Sequence, residues 1–228
     1  MNRVLVALVT AATMLISLST LAHANLIVNN SFEDPVVAVG GARIFAAAST
    51  PPLGWSVVGP GSLAIIGGGF TQFGFSFPAQ DGVQWLDLTG ISSNQPIGIQ
   101  QVVATVPGTT YDLSFWVGNV VGFISTASTS TVNLFIDGIL ASAATNTQGG
   151  TTLDWQKFTT SFTATGATTT LAFFNGDPRT DESSGLDNIV LTVHGATDGT
   201  VPQPAALLLL AAGLAGLAAV RWCQKGSW

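Results

Sequence analysis

Residues 98–119 read GIQQVVATVPGTTYDLSFWVGN, and their second half decides the class of the fold. Tyr111, Leu113, Phe115 and Val117 alternate with Asp112, Ser114, Trp116 and Gly118, a period of two that puts one set on each side of a β-strand. Pro107 presets φ for a turn and Gly108 tolerates the left-handed region, so the two halves are expected to fold back on each other as an antiparallel pair.

Outward in both directions the alternation repeats. Val132, Leu134 and Ile136 lead into Asp137-Gly138, followed at once by Ile139-Leu140, the strongest short-range hairpin signal in the chain. Residues 155–164 alternate through Phe158 and Phe162, residues 169–175 through Leu171 and Phe173, and residues 185–194 through Ile189, Leu191 and Val193. Upstream, GVQWLDL at 82–88 sets Val83, Trp85 and Asp87 against Gln84, Leu86 and Leu88. NLIVNNSFEDP at 25–35 reads as an opening strand with Leu26, Val28 and Phe32 turned to the core. Nine to ten strands at 8–15-residue spacing, with no helical period before residue 204, predict an all-β sandwich or barrel.

Composition narrows the function. All 12 acidic residues lie between Glu33 and Asp198, against three basic ones, Arg43, Lys157 and Arg179, which argues against a nucleic-acid partner. The single cysteine, Cys223, follows the last apolar run, so the domain has no disulfide and its stability must come from packing or a metal. Between Asn25 and His194 there is one histidine, no cysteine and no G-x-S-x-G elbow, and the only glutamates are Glu33 and Glu182. These features predict a non-catalytic domain, with a glycoside hydrolase as the lesser alternative.

The two ends carry targeting information. Arg3, an apolar run from Val4 to Leu18 and Ala22-His23-Ala24 make residues 1–24 a secretory signal peptide, leaving a domain at 25–195. A linker at 196–204 contains Val201-Pro202-Gln203-Pro204; residues 205–220 form one C-terminal transmembrane helix and 221–228 a short basic cytoplasmic tail. Sixteen residues span only about 24 Å as a helix, short of a hydrocarbon core of about 30 Å, and Arg221 and Lys225 orient it with the domain outside.

This tail resembles the PEP-CTERM sorting signal of Gram-negative bacteria, with Gln203 standing where the motif has glutamate. The resemblance implies recognition by an exosortase-type transpeptidase and delivery to the outer surface or the extracellular matrix, with transient or permanent membrane anchoring. The domain is similar to the choice-of-anchor C family and to galactose-binding-like jelly rolls and carbohydrate-binding modules. NLIVNNSFEDP, Gly54-Trp55, DGVQWLDLTG at 81–90, residues 98–119 and GLDNIVLT at 185–192 carry the likeness. It implies a jelly-roll β-sandwich and a structural Ca2+ joining the first and last strands through Glu33 and Asp187.

Asp187 shares parity with Ile189, Leu191 and Val193, so its carboxylate is expected to point inward, where it needs either that cation or backbone donors. Trp85 beside Asp87, with Trp116, offers flat rings and an acceptor suited to a polysaccharide of the biofilm matrix, unless Trp85 is simply buried. The four phenylalanines of GGGFTQFGFSF at 67–77 could stack on the same ligand or fill the core. The competing role is a structural surface protein with no specific ligand.

Overall fold

In the computed structural model the described residues are 25–46, 52–89, 96–123, 128–177 and 184–195. They form strands and no helix. In chain order these are β1 Ala42–Ala46, β2 Ser56–Val58, β3 Ser62–Gly67, β4 Thr71–Gln72, β5 Phe75–Ser76, β6 Gln84–Asp87, β7 Gly98–Ala104, β8 Thr110–Asn119, β9 Ser130–Ile136, β10 Ile139–Asn146, β11 Asp154–Thr163, β12 Thr168–Asn175 and β13 Gly185–Val193. The signal peptide, the Val201–Pro204 motif, the 205–220 helix and the basic tail lie outside the described residues. None of the described residues forms a helix able to cross a membrane.

Two antiparallel sheets make a sandwich, as the alternation predicts. One has six strands in the order β1-β3-β6-β13-β8-β11, the other five in the order β10-β9-β12-β7-β2, and β4-β5 is a separate hairpin. The inward sets meet in one core: Leu63, Ile65 and Leu86 with Leu113, Phe115 and Val117 from the six-stranded sheet, Ile99, Leu134, Leu171 and Phe173 from the five-stranded one. Phe115 meets Phe173 edge-on at 5.2 Å, which ties the sheets together at the centre. The Asp137-Gly138 turn between β9 and β10 has φ of 49° and 80°, the positive pair its sequence requires.

The stretch at 98–119 does not form the antiparallel pair expected of it. β7 pairs with β12 and β2, whereas β8 pairs with β11 and β13 in the opposite sheet. Residues 105–109 therefore arch across the core. A five-residue connection can cross the roughly 10 Å between packed sheets, and the crossing lets both inward sets cover the same core from opposite sides. The arch is held by the Val106 amide donating to the Tyr111 hydroxyl (2.9 Å) and by Gly108 and Thr109 pairing with Ala164.

The opening segment also departs from the alternation. Residues 25–35 form no strand, and it is Ile27 and Phe32 that are buried, while Leu26 and Val28 are exposed. Asn29 and Phe32 sit at φ of 52° and 57°, which breaks the period. The segment closes one side of the sandwich by side-chain pairing. Asn25 bonds the Leu191 amide and the Ile189 carbonyl of β13, and the inward Gln101 of β7 bonds both the amide and the carbonyl of Val28.

Candidate functional site

The outer face of the six-stranded sheet gathers most of the residues singled out above. Register sets them in rows. Lys157, Trp116 and Asp187 are direct neighbours across β11, β8 and β13, and continuing the β6–β13 ladder by one residue places Trp85 opposite Asp187. The adjoining row holds Asp87, Gly185, Gly118 and Trp155. Both glycines are required by packing, because a Cβ on either would come within 2.9 Å of the Trp155 ring.

Asp187 faces outward, contrary to its parity with Ile189, Leu191 and Val193. Between Asp187 and Val190 the strand shifts register: three steps on β13 match the two from Trp116 to Ser114 on β8. Asn188, at φ 45°, takes up the extra residue, a β-bulge that moves Asp187 to the far side of the sheet from the buried Ile189 and Leu191. Asparagine tolerates this left-handed conformation better than most residues, and that was the one signal in the sequence.

Outward here does not mean exposed. Residues 67–83 run back over this face as a strap whose Phe70, Phe75 and Phe77 join a second apolar cluster, in which Ala64, Ile66, Phe77, Trp85, Val120 and Leu153 are buried, while Phe73 stays exposed. Trp85 stacks on Phe77 at 6.4 Å, meets Trp155 edge-on at 5.9 Å and donates its indole N–H to the Phe77 carbonyl. Of the two roles open to the aromatic loop, it takes the packing one. Trp85 accordingly presents no ring to solvent, whereas Trp116 is half-exposed. Asp87 is partly buried, and its Oδ1 accepts the Thr89 amide and hydroxyl.

The strap seals Asp187 completely. Its Oδ2 accepts the Gln80 and Asp81 amides at 2.9 and 3.0 Å, and its Oδ1 accepts the Asn188 amide at 2.7 Å. No basic side chain among the described residues pairs with it. Burial pushes its pKa up to about 8; the nearby Asp81 carboxylate adds to the rise and the three amides oppose it. Burial thus favours its protonated form, in an aromatic surround.

Glu33 grips the other end of the same turn. Its Oε1 accepts the Val83 and Gln84 amides, both at 2.8 Å, and Gly82 at φ 65° leaves it room, since a Cβ there would lie 2.3 Å from Oε1. Ser31 donates to Asp81 Oδ2 at 2.6 Å. Glu33 and Asp187 thus converge on residues 80–84, as two acceptors closing a turn. In place of the calcium expected there, backbone amides occupy one oxygen of Glu33 and both of Asp187. Amide N–H groups point their positive ends at the carboxylates, and no group of three or more His, Cys, Asp or Glu side chains among the described residues is placed to hold a metal.

Next to the Trp116–Lys157 row the face opens into a groove of about 490 Å³ lined by Asp112, Ser114, Lys157, Thr159, Val190 and Thr192, among others. On the opposite face of the sandwich a second groove, of about 680 Å³, lies over β9, β12 and β7, with Phe135, Phe174, Ala172, Gln100, Asn133 and Asp137 in its lining. None of its residues was singled out from the sequence as a ligand contact: Asp137 and Gly138 stood out only as a turn, and half-exposed aromatics on an alternating strand read as ordinary surface.

Comparison with known proteins decides between the functional classes. The family model described as HpiC1-like, HpiC1 cyclase, matches residues 23–175. The chain belongs to the HpiC1-like cyclase family. It is similar in structure to a Stig cyclase, Fisc from Fischerella sp. TAU, solved with (3Z)-3-(1-methyl-2-pyrrolidinylidene)-3H-indole: TM-score 0.56, 18% identity, 77% of this chain and 100% of that one. A cyclase from Fischerella sp. TAU in complex with 4-(1H-indol-3-yl)butan-2-one aligns at TM-score 0.54 and 19% identity, over 75% and 97% of the two chains. A family 35 carbohydrate-binding module from Clostridium thermocellum aligns at TM-score 0.40 and 12% identity, over 66% and 97%. No curated protein sequence matches the chain.

Membership of the HpiC1-like cyclases corrects the expectation of a non-catalytic polysaccharide-binding or purely structural domain. That expectation rested on the lack of a nucleophile, a histidine dyad or a thiol. The lack of those groups does not exclude catalysis, since a single carboxyl altered by its surroundings can supply acid chemistry without a motif.

Proposed function

We propose that this HpiC1-like protein closes a ring in a small, largely apolar aromatic substrate, with Asp187 as proton donor on the outer face of the six-stranded sheet. The observation that carries the reading is a fully buried carboxyl with no basic partner among the described residues, set beside Trp116 and under an aromatic cover. Such an acid keeps its proton at neutral pH and can place it on an unsaturated carbon. The cation so formed is attacked by the electron pair of a neighbouring ring, a C–C bond closes, and the ring carbon returns a proton to the carboxylate. Substrate and product are therefore isomers. The face of Trp116 is placed to stabilise the transient positive charge, and the groove of about 490 Å³ lies beside it on the same face, with Lys157 and Ser114 in its lining. The indole ligands of the two Fischerella structures favour an indole-type substrate.

The test is incubation of the full-length chain with indoles bearing an unsaturated side chain, read by chromatography and mass spectrometry. A product of unchanged mass and altered retention is expected, with its rate reduced on the order of 100-fold or more in Asp187→Asn. Wild-type turnover by Asp187→Asn overturns the assignment, and an absence of isomers across the panel overturns the reaction.

We also infer that the chain is exported and sorted. The tripartite pattern of residues 1–24 supports cleavage before Asn25, and Val201–Pro204 followed by a short apolar run and Arg221 supports handling by an exosortase-type enzyme of the PEP-CTERM system at the surface of a Gram-negative cell. The strand order, β6-β13-β8-β11 facing β7-β12-β9-β10, supports a jelly roll of galactose-binding-like, choice-of-anchor C type. Intact masses from membrane and secreted fractions report both cleavages, and a mass retaining residues 1–24 in either fraction contradicts the export reading.

A further inference from the structure

The open face of the five-stranded sheet has the make-up of a second ligand site. Its floor is set by register. Phe135, Ala172 and Gln100 lie side by side across β9, β12 and β7, and in the adjoining row Asn133, Phe174 and Gly98 do the same. Gly98 is small because Phe174 lies on it: a Cβ there would meet the ring at 2.8 Å. Phe174 in turn meets Phe135 at 5.5 Å with the planes at 78°, so each ring holds the other in place. Small residues beside two fixed rings leave a shallow depression of about 680 Å³, within the usual range for small-molecule sites.

The polar groups of the lining are of one electrostatic kind. Gln100, Asn133, Asn175 and Thr170 are neutral, Asp137 is acidic, and among the described residues the lining contains no Lys, Arg or His. Asp137 is fixed at the end of β9. Its amide donates to the Thr170 carbonyl and its Oδ1 accepts the Thr170 amide at 2.8 Å, while its Oδ2 has no protein donor among the described residues. An anionic oxygen two residues from a phenylalanine ring suits a ligand with a positive nitrogen and a flat apolar body.

We propose that this groove binds small aromatic amines in their ammonium form, with the ring against Phe135 and Phe174 and the nitrogen at Asp137. The site is on the opposite face of the sandwich from Asp187 and stands independently of the catalytic assignment. Asp137 is solvent-exposed, so its share is modest and falls with ionic strength.

Ligand-observed NMR titration of the full-length chain with tryptamine, 3-methylindole and indole-3-acetate separates charge from ring. Tryptamine is expected to bind most tightly, with a Kd on the order of 1 mM, about fivefold below neutral 3-methylindole, and indole-3-acetate most weakly. Asp137→Asn, which keeps an acceptor for Thr170, should bring tryptamine and 3-methylindole level. Phe174→Leu should weaken both, and Asp187→Asn should leave the preference for tryptamine over 3-methylindole in place. Equal affinity for all three ligands, a preference for the acid, or a tryptamine preference that survives Asp137→Asn overturns the proposal. Self-association of the chain through this face, detected by sedimentation and relieved by Phe174→Leu, would replace it with a protein interface.

Discussion

The two outer faces of the sandwich begin from the same alternation and end as different environments. On the five-stranded sheet, Phe135 and Phe174 stay half-exposed over an open groove. On the six-stranded sheet, the glycine- and phenylalanine-rich strap of residues 67–83 lies over Trp85, Ala64 and Ile66 and makes a second apolar layer. The strap changes chemistry as well as packing. Buried beneath it, a carboxyl in register with Trp116 has its pKa pushed up to about 8, and that turns an ordinary strand residue into a candidate acid. A surface strand thus becomes a candidate catalytic element because of what another part of the chain lays over it.

Truncating the matching aromatic on each face tests the difference most directly. Trp85→Ala removes a side chain wedged between Phe77 and Trp155 and should cost about 3–5 kcal/mol, lowering the Tm by about 10 °C. Phe174→Ala, on the open face, should cost about 1 kcal/mol or less. Equal losses in thermal unfolding would mean that the strap contributes little to burial.

The next effect is the pH dependence carried by the sealed acid. Asp187 has a folded pKa of about 8, above the usual value near 3.9 of an unfolded aspartate, so the folded state binds the extra proton. Its contribution to stability is therefore complete below about pH 4 and is lost as the pH rises towards 8. Over that range the wild-type Tm should fall by an amount corresponding to a few kcal/mol, and Asp187→Asn should flatten the slope. A Tm that rises between pH 4 and 8 and falls back in the variant would show the carboxylate to be ionised and paired.

Much of the sandwich was legible, and the failures share a cause. Alternation identified the inward sets of β8, β9, β12 and β6, and Asp-Gly located one hairpin correctly. Alternation does not say which sheet a strand joins, so residues 98–119 were read as a pair when their five-residue connection crosses the core. Nor does it survive a left-handed residue. Asn29 and Phe32 exchanged the buried positions of the opening segment, and Asn188 sent Asp187 outward. Trp85, Trp116 and Asp187 were each legible as unusual. Their convergence was not, because it depends on a one-residue bulge and on a strap distant in sequence from β13.

The smallest expected effect separates a clasp made of amides from one made of a cation. Glu33 and Asp187 together accept five backbone N–H groups, four of them from residues 80–84; the two on the Glu33 carboxylate are of the charge-assisted kind, worth roughly 1.5–3 kcal/mol each before desolvation. EDTA should therefore leave the Tm of the full-length chain within about 1 °C, whereas Glu33→Gln, which weakens two of those bonds while keeping the shape, should lower it by several degrees. A fall of several degrees with EDTA, restored by calcium and absent in Glu33→Gln, would show that the carboxylates turn from the amides to bind the ion. The covered face would then owe its closure to the metal instead of to the chain.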